Sequence, residues 1–140
     1  MMKKILVPTD ASEYSQRALK TALELARKFN AEVELLFVMH EPIVYNSNVD
    51  VYIISPEQIE QEGKFALQAT LDRIDISNVT LKRKIIRGRP AKVILQEIEN
   101  ENIDLVVMGR CGYGALTDCL LGSVSQRVLY GAKCSVLIVK

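Results

Sequence analysis

Five short apolar runs alternate with four amphipathic stretches along the 140 residues, and that alternation leaves few folds open. The runs are 4–9, 32–39, 80–87, 104–108 and 135–139. Short apolar segments of this kind read as buried strands of a parallel sheet. Between them, Ser12 is placed to cap a helix over 13–29 that carries Ala18, Leu19, Ala22, Leu23, Ala26 and Phe29 on one face, with Asn30 as its stop. Ser55-Pro56-Glu57-Gln58 has Ser at the N-cap, Pro at N1 and Gln at N3. The helix it opens should run to about residue 74 and bury Ile59, Ala66, Leu67, Thr70, Leu71 and Ile74. Gly88-Arg89-Pro90 ends the third strand and starts a short helix with Ala91, Ile94, Leu95 and Ile98 inward. The last helix, over 121–132, turns Leu121, Val124, Val128, Leu129 and Ala132 to the core. Strand and helix in strict alternation predict a three-layer α/β sandwich with a mostly parallel sheet. Right-handed crossovers then put any ligand beyond the strand C-termini, where the winding reverses. No linker, repeat or low-complexity stretch interrupts residues 1–140, which read as one domain.

Composition narrows the function by exclusion. Hydrophobic residues at 49% and charged residues at 25% suit a domain of this length that folds on its own core. A formal charge of +1 argues against a nucleic-acid surface. No run of about 18 apolar residues is present, so no membrane span is expected. Residues 1–10 read as the first strand rather than an export signal, which points to the cytoplasm. Cys111, Cys119 and Cys134 are odd in number and form no CxxC, which gives neither a zinc signature nor a disulfide framework. They read as reduced thiols; Cys111, inside the glycine motif, is either a small residue tolerated in a loop or one that touches a ligand or oxidises. His40, the one histidine, reads as a loop residue because nothing beside it could complete a zinc site.

The chemistry-bearing motif follows the fourth strand. Gly109, Gly112, Gly122 and Ser123 stand in the order G-x2-G-x9-G-[S/T]. Glycines at a strand end bring bare amides to a ligand that a Cβ would hold off. Gly122-Ser123 then opens a helix whose N-terminus can face an anion, for which a nucleotide's phosphates are the simplest candidate. The same residues also suit plain structural roles: loop punctuation for the glycines, capping for Ser123 and Ser125. Arg110 is either solvated or a ribose or phosphate contact. Asp10 either meets a ribose hydroxyl or a phosphate-held metal, or bonds the backbone at the next helix start. Other nucleotide chemistries lack their signatures. No G-x-x-x-x-G-K-[ST] occurs, no G-x-G-x-x-G follows the first strand, and the third strand ends without the aspartate a phosphorylated receiver needs. No catalytic residue is assigned, because no base stands paired with a nucleophile.

Four segments in order resemble the universal stress protein family: Ile5-Leu6-Val7-Pro8-Thr9-Asp10-Ala11-Ser12, Gly88-Arg89-Pro90-Ala91, the stretch from Val106-Val107-Met108-Gly109 to Gly122-Ser123-Val124-Ser125, and Cys134-Ser135-Val136-Leu137-Ile138-Val139. The resemblance spans the chain. It implies a five-stranded parallel sheet of order 3-2-1-4-5, Rossmann-like and of the adenine nucleotide alpha hydrolase type. Members keeping the glycine pattern bind ATP, with Mg²⁺ or Mn²⁺ expected beside the phosphates, and commonly form homodimers through the last strand, here 135–139. Carried over, Pro8, Thr9 and Asp10 would border the adenosine, and Val38 would meet the adenine by its backbone. Met108 and Gly109 would line the adenine and ribose. Arg110 to Gly112 would wrap ribose and triphosphate, and Gly122, Ser123, Val124 and Ser125 would hold phosphates. Asp118 departs from this by placing a negative charge in the phosphate-facing loop. The implied function is a nucleotide-dependent stress-response or signalling module with at most slow ATP hydrolysis and an unknown protein partner. Two competitors stay open: a structural or partner-binding dimer without nucleotide, and an enzyme that turns ATP over. The apolar stretch 41–54 would cover the adenine pocket, pack on a partner subunit or offer a surface to another protein.

Overall fold

In the computed structural model, residues 2–40, 55–115 and 119–140 are described; the readings made for 41–54 and for Asp118 fall outside them. The chain runs β1 (Lys4–Thr9), α1 (Glu13–Phe29), β2 (Glu32–His40), α2 (Pro56–Leu71), β3 (Leu81–Gly88), α3 (Pro90–Asn100), β4 (Leu105–Gly109), α4 (Ser123–Gly131) and β5 (Ser135–Val139). The strands form one sheet of order β3-β2-β1-β4-β5, and every pairing in it is parallel. Alternate side chains feed two cores. Ile5, Val7, Val33 and Leu35 pack under α1 and α2, while Leu6, Leu36, Val106 and Met108 pack under α3 and α4.

Local signals set the helix ends. Ser12 accepts from the Ser15 N–H, and Asn30 closes α1 in the left-handed conformation with its N–H on the Ala26 carbonyl. At α2 the reciprocal bonds between Ser55 and Gln58 are both formed. Three readings need correction. Phe29, placed in the core by periodicity, is 52% exposed, because it is the last residue before the chain turns away through Asn30. Leu129 is likewise exposed, at 42%. The helix expected to reach residue 74 stops at Leu71, and Arg73 with a φ of +58° turns the chain. Leu71 and Ile74 still pack on the α1/α2 core, half-buried.

One polar cluster sits on the α3 face. Glu34 of β2 and Glu97 of α3 are both buried. Lys84 of β3 bonds Glu97 and lies 3.9 Å from Glu34 and 3.4 Å from Glu101. Burial first, then the bond and charge of Glu97, push the Glu34 carboxyl from its ordinary 4.5 up to about 7, and Lys84 offsets only part of this. The raised value fixes the sign of a pH effect. Below pH 4.5 the proton is held in folded and unfolded chains alike, and the cluster's contribution to stability is fully present. As pH rises towards 7, the unfolded chain gives up a proton that the folded chain keeps, and stability falls. Urea unfolding followed from pH 5 to pH 8 should show a falling midpoint whose slope Glu34→Gln flattens. A Glu34→Gln curve parallel to the parent's would show that another group titrates.

Candidate functional site

β1 and β4 lie at the centre of the sheet, where the winding reverses between β2 on one side and β5 on the other. A cleft of about 630 Å³ opens above their C-terminal ends, where ligands of such sheets bind. Pro8, Thr9, Asp10, Val38, Met108, Gly109, Gly112, Gly122, Ser123, Val124 and Ser125 all line it. Of the residues expected at the site, Arg110 alone is not brought into the lining. Its backbone is committed elsewhere: the N–H donates to Val139 of β5 at 2.9 Å and the carbonyl accepts from Gly122 at 2.7 Å. Its Nε is buried without a hydrogen-bond partner. No lysine or arginine is therefore among the described residues that line the cleft.

Several predicted residues are already used by the protein itself. The Thr70 hydroxyl donates to the Ala66 carbonyl, so in the 2.7 Å contact between the two threonines Thr9 is the donor. The Thr9 oxygen also accepts from Ala11 N–H. Ala11 itself takes a φ of +67°, a conformation non-glycine residues enter only at some cost in strain. The Ser125 hydroxyl is buried and donates to the Gly109 carbonyl at 2.9 Å, tying the first turn of α4 to the end of β4. Asp10 accepts from Ser12 N–H at 3.0 Å, from the Ser15 hydroxyl at 2.8 Å and, across the cleft, from Tyr113 N–H at 2.6 Å. Partial burial would raise its carboxyl, but the bonds from Ser12, Tyr113 and Ser15 together outweigh it and hold the group below the usual aspartate range. Asp10 thus fills the helix-start role and also latches the loop after β4. Its contribution is present above the ordinary carboxylate pKa and is lost as acid protonates it.

The three motif glycines separate on geometry. A Cβ on Gly109 would fall 2.6 Å from Tyr14 Cβ and 2.9 Å from its backbone carbon, so this glycine lets α1 approach β4. A Cβ on Gly112 would fall 2.6 Å from Asp10 Oδ2, so it protects the latch. At Gly122 a Cβ would meet Cys111 Cα at 3.4 Å, an ordinary contact. Its φ of −68° and ψ of 158° are open to any residue. Gly122 is the N-cap of α4, and no side chain caps that helix. The helix therefore begins at the cleft wall with amides that no capping group occupies.

The cysteine reading is corrected here. Cys111 and Cys119 form a disulfide, and both line the cleft. The odd count concealed a pair eight residues apart with Cys134 left free. Spacing alone could not reveal it, because the bridge depends on the loop doubling back on itself. Sequence reasoning also missed Leu36, Phe37, Pro90, Ile94, Tyr113 and Leu121 as lining residues. The neighbours of Val38 in the second half of β2 and the helix start at Pro90, just past the end of β3, were the available signals.

The universal stress protein family model matches residues 1–140. The chain belongs to that family. Universal stress protein MJ0531 of Methanocaldococcus jannaschii is 36% identical over 141 residues, covering 100% of this chain and 83% of the relative. The solved structure of MJ0577, a universal stress protein of the same organism, superposes with a TM-score of 0.74 at 28% identity, covering 100% of this chain and 96% of that one. A universal stress protein solved in complex with cAMP shares the fold, with a TM-score of 0.68 at 23% identity over 99% of this chain and 96% of that one.

Within this family member the glycine geometry gives a direct test. Gly109→Ala should cost about 1–3 kcal/mol, because the added carbon meets the Tyr14 backbone and α1 must shift. Gly122→Ala should cost less, about 0.5–1 kcal/mol, for the poorer N-cap alone. Equal urea midpoints for Gly109→Ala and the parent would refute the packing role.

Proposed function

We propose that the chain binds an adenine nucleotide, ATP, in the cleft above β1 and β4 and acts as a nucleotide-dependent stress-response or signalling module of the cytoplasm. The observation that carries this reading is Gly122. Its backbone is ordinary and its Cβ position has room, so the fold does not require a glycine there. A ligand lying against the uncapped start of α4 does require one. Bare amides and the positive end of the helix favour a phosphate, which matters because no cationic side chain lines the cleft among the described residues. Leu36, Val38, Ile94 and Met108 supply an apolar wall for a base. The solved relative in complex with cAMP supports the choice of an adenine nucleotide.

Residue roles follow from that orientation. Asp10 carries negative charge and belongs at the ribose end, with Pro8, Thr9 and Val38 towards the base. Ser123, Val124 and Ser125 offer backbone amides to the phosphates, Gly122, its own N–H bonded to Arg110, leaves them room, and Ser123, exposed, can add its hydroxyl. Arg110 contributes through its backbone. Among the described residues no cluster of three or more His, Cys, Asp or Glu side chains could hold a metal, so Mg²⁺ or Mn²⁺ would enter with the triphosphate. Asp10 is the one carboxylate in the described lining, and its oxygens are bonded to Ser12, Ser15 and Tyr113. Hydrolysis, lacking a free base, would be slow at most.

A second reading has its own support: Thr9, Gly109, Gly112 and Ser125 all have structural uses, as expected if the loop served only the fold of a partner-binding dimer. Gly122→Val separates the two. The extended backbone accepts a β-branched residue, so the variant should fold with a loss of about 1 kcal/mol at the N-cap, while calorimetric titration shows ATP affinity reduced at least about tenfold. Unchanged affinity would sink the nucleotide reading, as would purified parent that neither carries nor takes up adenine nucleotide.

A homodimer through β5 completes the proposal. β5 is an edge strand with Leu137 37% exposed, and an open apolar edge is an aggregation hazard unless it is paired. Light scattering should find a dimer in the parent and a monomer in Leu137→Lys; a monomeric parent would remove the dimer from the proposal.

A further inference from the structure

We propose that the Cys111–Cys119 disulfide is a reversible redox clasp on the nucleotide cleft: oxidised, it holds Gly112 and Tyr113 and the start of α4 in their binding arrangement, and reduced, it lets them relax and nucleotide affinity fall. The inference rests on the nucleotide reading above.

Position is the first argument. Cys111 lies two residues past the end of β4, and Cys119 lies three before the N-cap Gly122. Their Cα atoms are 6.5 Å apart, so the bridge closes the loop at its base. Both half-cystines form part of the cleft wall. The residues between them include Gly112 and Tyr113, which carry the latch onto Asp10. Among the described residues, the loop is also drawn in by the Gly122–Arg110 backbone bond, by the Tyr113–Asp10 bond and by a weak turn from Ala115 to Gly112.

Need is the second argument. Two buried clusters pack the sheet on both faces without either cysteine, and a domain of 140 residues does not depend on a staple for its core. A cross-link here constrains the ligand loop and little else. Ordering a loop before binding lowers the entropic cost of binding, and a bridge over a short loop removes a large part of that loop's freedom.

Access is the third. Cys111 is 5% exposed, whereas Cys119 is half-buried and reachable from the cleft side. A low-molecular-weight thiol would attack Cys119 Sγ as its thiolate, breaking the protein S–S bond and forming a mixed disulfide. Cys111 leaves as a thiolate and takes up the proton the attacking thiol released. A second small thiol attacks the sulfur of the bound small thiol as its thiolate, forming the small disulfide, and Cys119 leaves as a thiolate that takes up the released proton. Two small thiols are thereby oxidised to one small disulfide while the protein disulfide is reduced to two thiols. A small-molecule disulfide runs the exchange backwards. Cys134 stands apart: it packs in the α3/α4 core, and burial pushes its thiol up, which slows its exchange.

The test uses the full chain in two states, treated with oxidised glutathione or with dithiothreitol, with alkylation and mass spectrometry to count free thiols and calorimetric titration with ATP. The oxidised chain should show one alkylatable thiol and the reduced chain three. Reduction should weaken ATP binding about tenfold. Cys119→Ser should bind like the reduced parent in either treatment, and Cys134→Ser should keep both affinity levels. Three alkylatable thiols after oxidation, or equal affinities in the two states, would overturn the clasp and leave nucleotide binding standing. ATP that binds neither state would overturn the nucleotide reading and the clasp together.

Discussion

β1 and β4 run side by side at the middle of the sheet, yet the ladder between them is short. It joins Ile5 to Leu105 and Leu6 to Val106, while both strands continue three residues further, to Thr9 and Gly109. On either side the pairing is longer: β2 follows β1 to Thr9, and β5 follows β4 to Gly109. The connections leave in opposite directions from the ends of these two strands, so no crossover helix covers the gap between them. The cleft is a consequence of that topology. Everything placed there depends on two strand ends being held at a fixed separation without a ladder. The substitutes are side-chain bonds: Ser125 to the Gly109 carbonyl on one side and Asp10 to the Tyr113 amide across the opening.

The motif glycines illustrate why a pattern can be right while the reason behind it is divided. Bare amides for a ligand were the expected use of all three. Gly109 faces away from that role, towards the backbone of Tyr14, and Gly112 makes room for a carboxylate. Only Gly122 is left without a demand from the protein. A fold can therefore impose part of a binding motif for packing alone, and the diagnostic position is the one the fold leaves unexplained.

Alternation of apolar runs with capped, amphipathic stretches made the architecture legible, since each boundary is written in local chemistry: Ser12 and Asn30 around α1, Ser55 to Gln58 at α2, Gly88 to Pro90 before α3. Strand order came from the family resemblance. Errors fell where a residue's fate depends on distant geometry. Phe29 and Leu129 fit the helical period yet remain exposed, Phe29 as the last helical residue before the chain turns at Asn30. The Cys111–Cys119 bridge joins residues whose proximity the loop conformation creates. Nothing in the sequence singles out Glu34, and its burial against Glu97 appears only once α3 is packed on β2. Arg110 followed the motif into the expected site, but the backbone bonds of the strand end left its side chain out of the lining.

Charge within the cleft is arranged in one direction. Asp10 stays ionised at one end because the bonds from Ser12, Tyr113 and Ser15 favour its charged form over the cost of burial. At the other end α4 presents its N-terminus, equivalent to roughly half a positive charge. A ligand negative at both ends would meet repulsion at Asp10, and a neutral one would gain nothing at α4. A nucleoside phosphate is polarised in the matching sense, with hydroxyls at the ribose and charge at the phosphates. With no cationic side chain in the described lining, attraction at the phosphate end comes from backbone dipoles, whose strength depends on geometry more than on titration. For the proposed nucleotide, the position of α4 relative to β4 would therefore matter more than any single side chain, and the buried hydroxyl of Ser125 holds those two elements together.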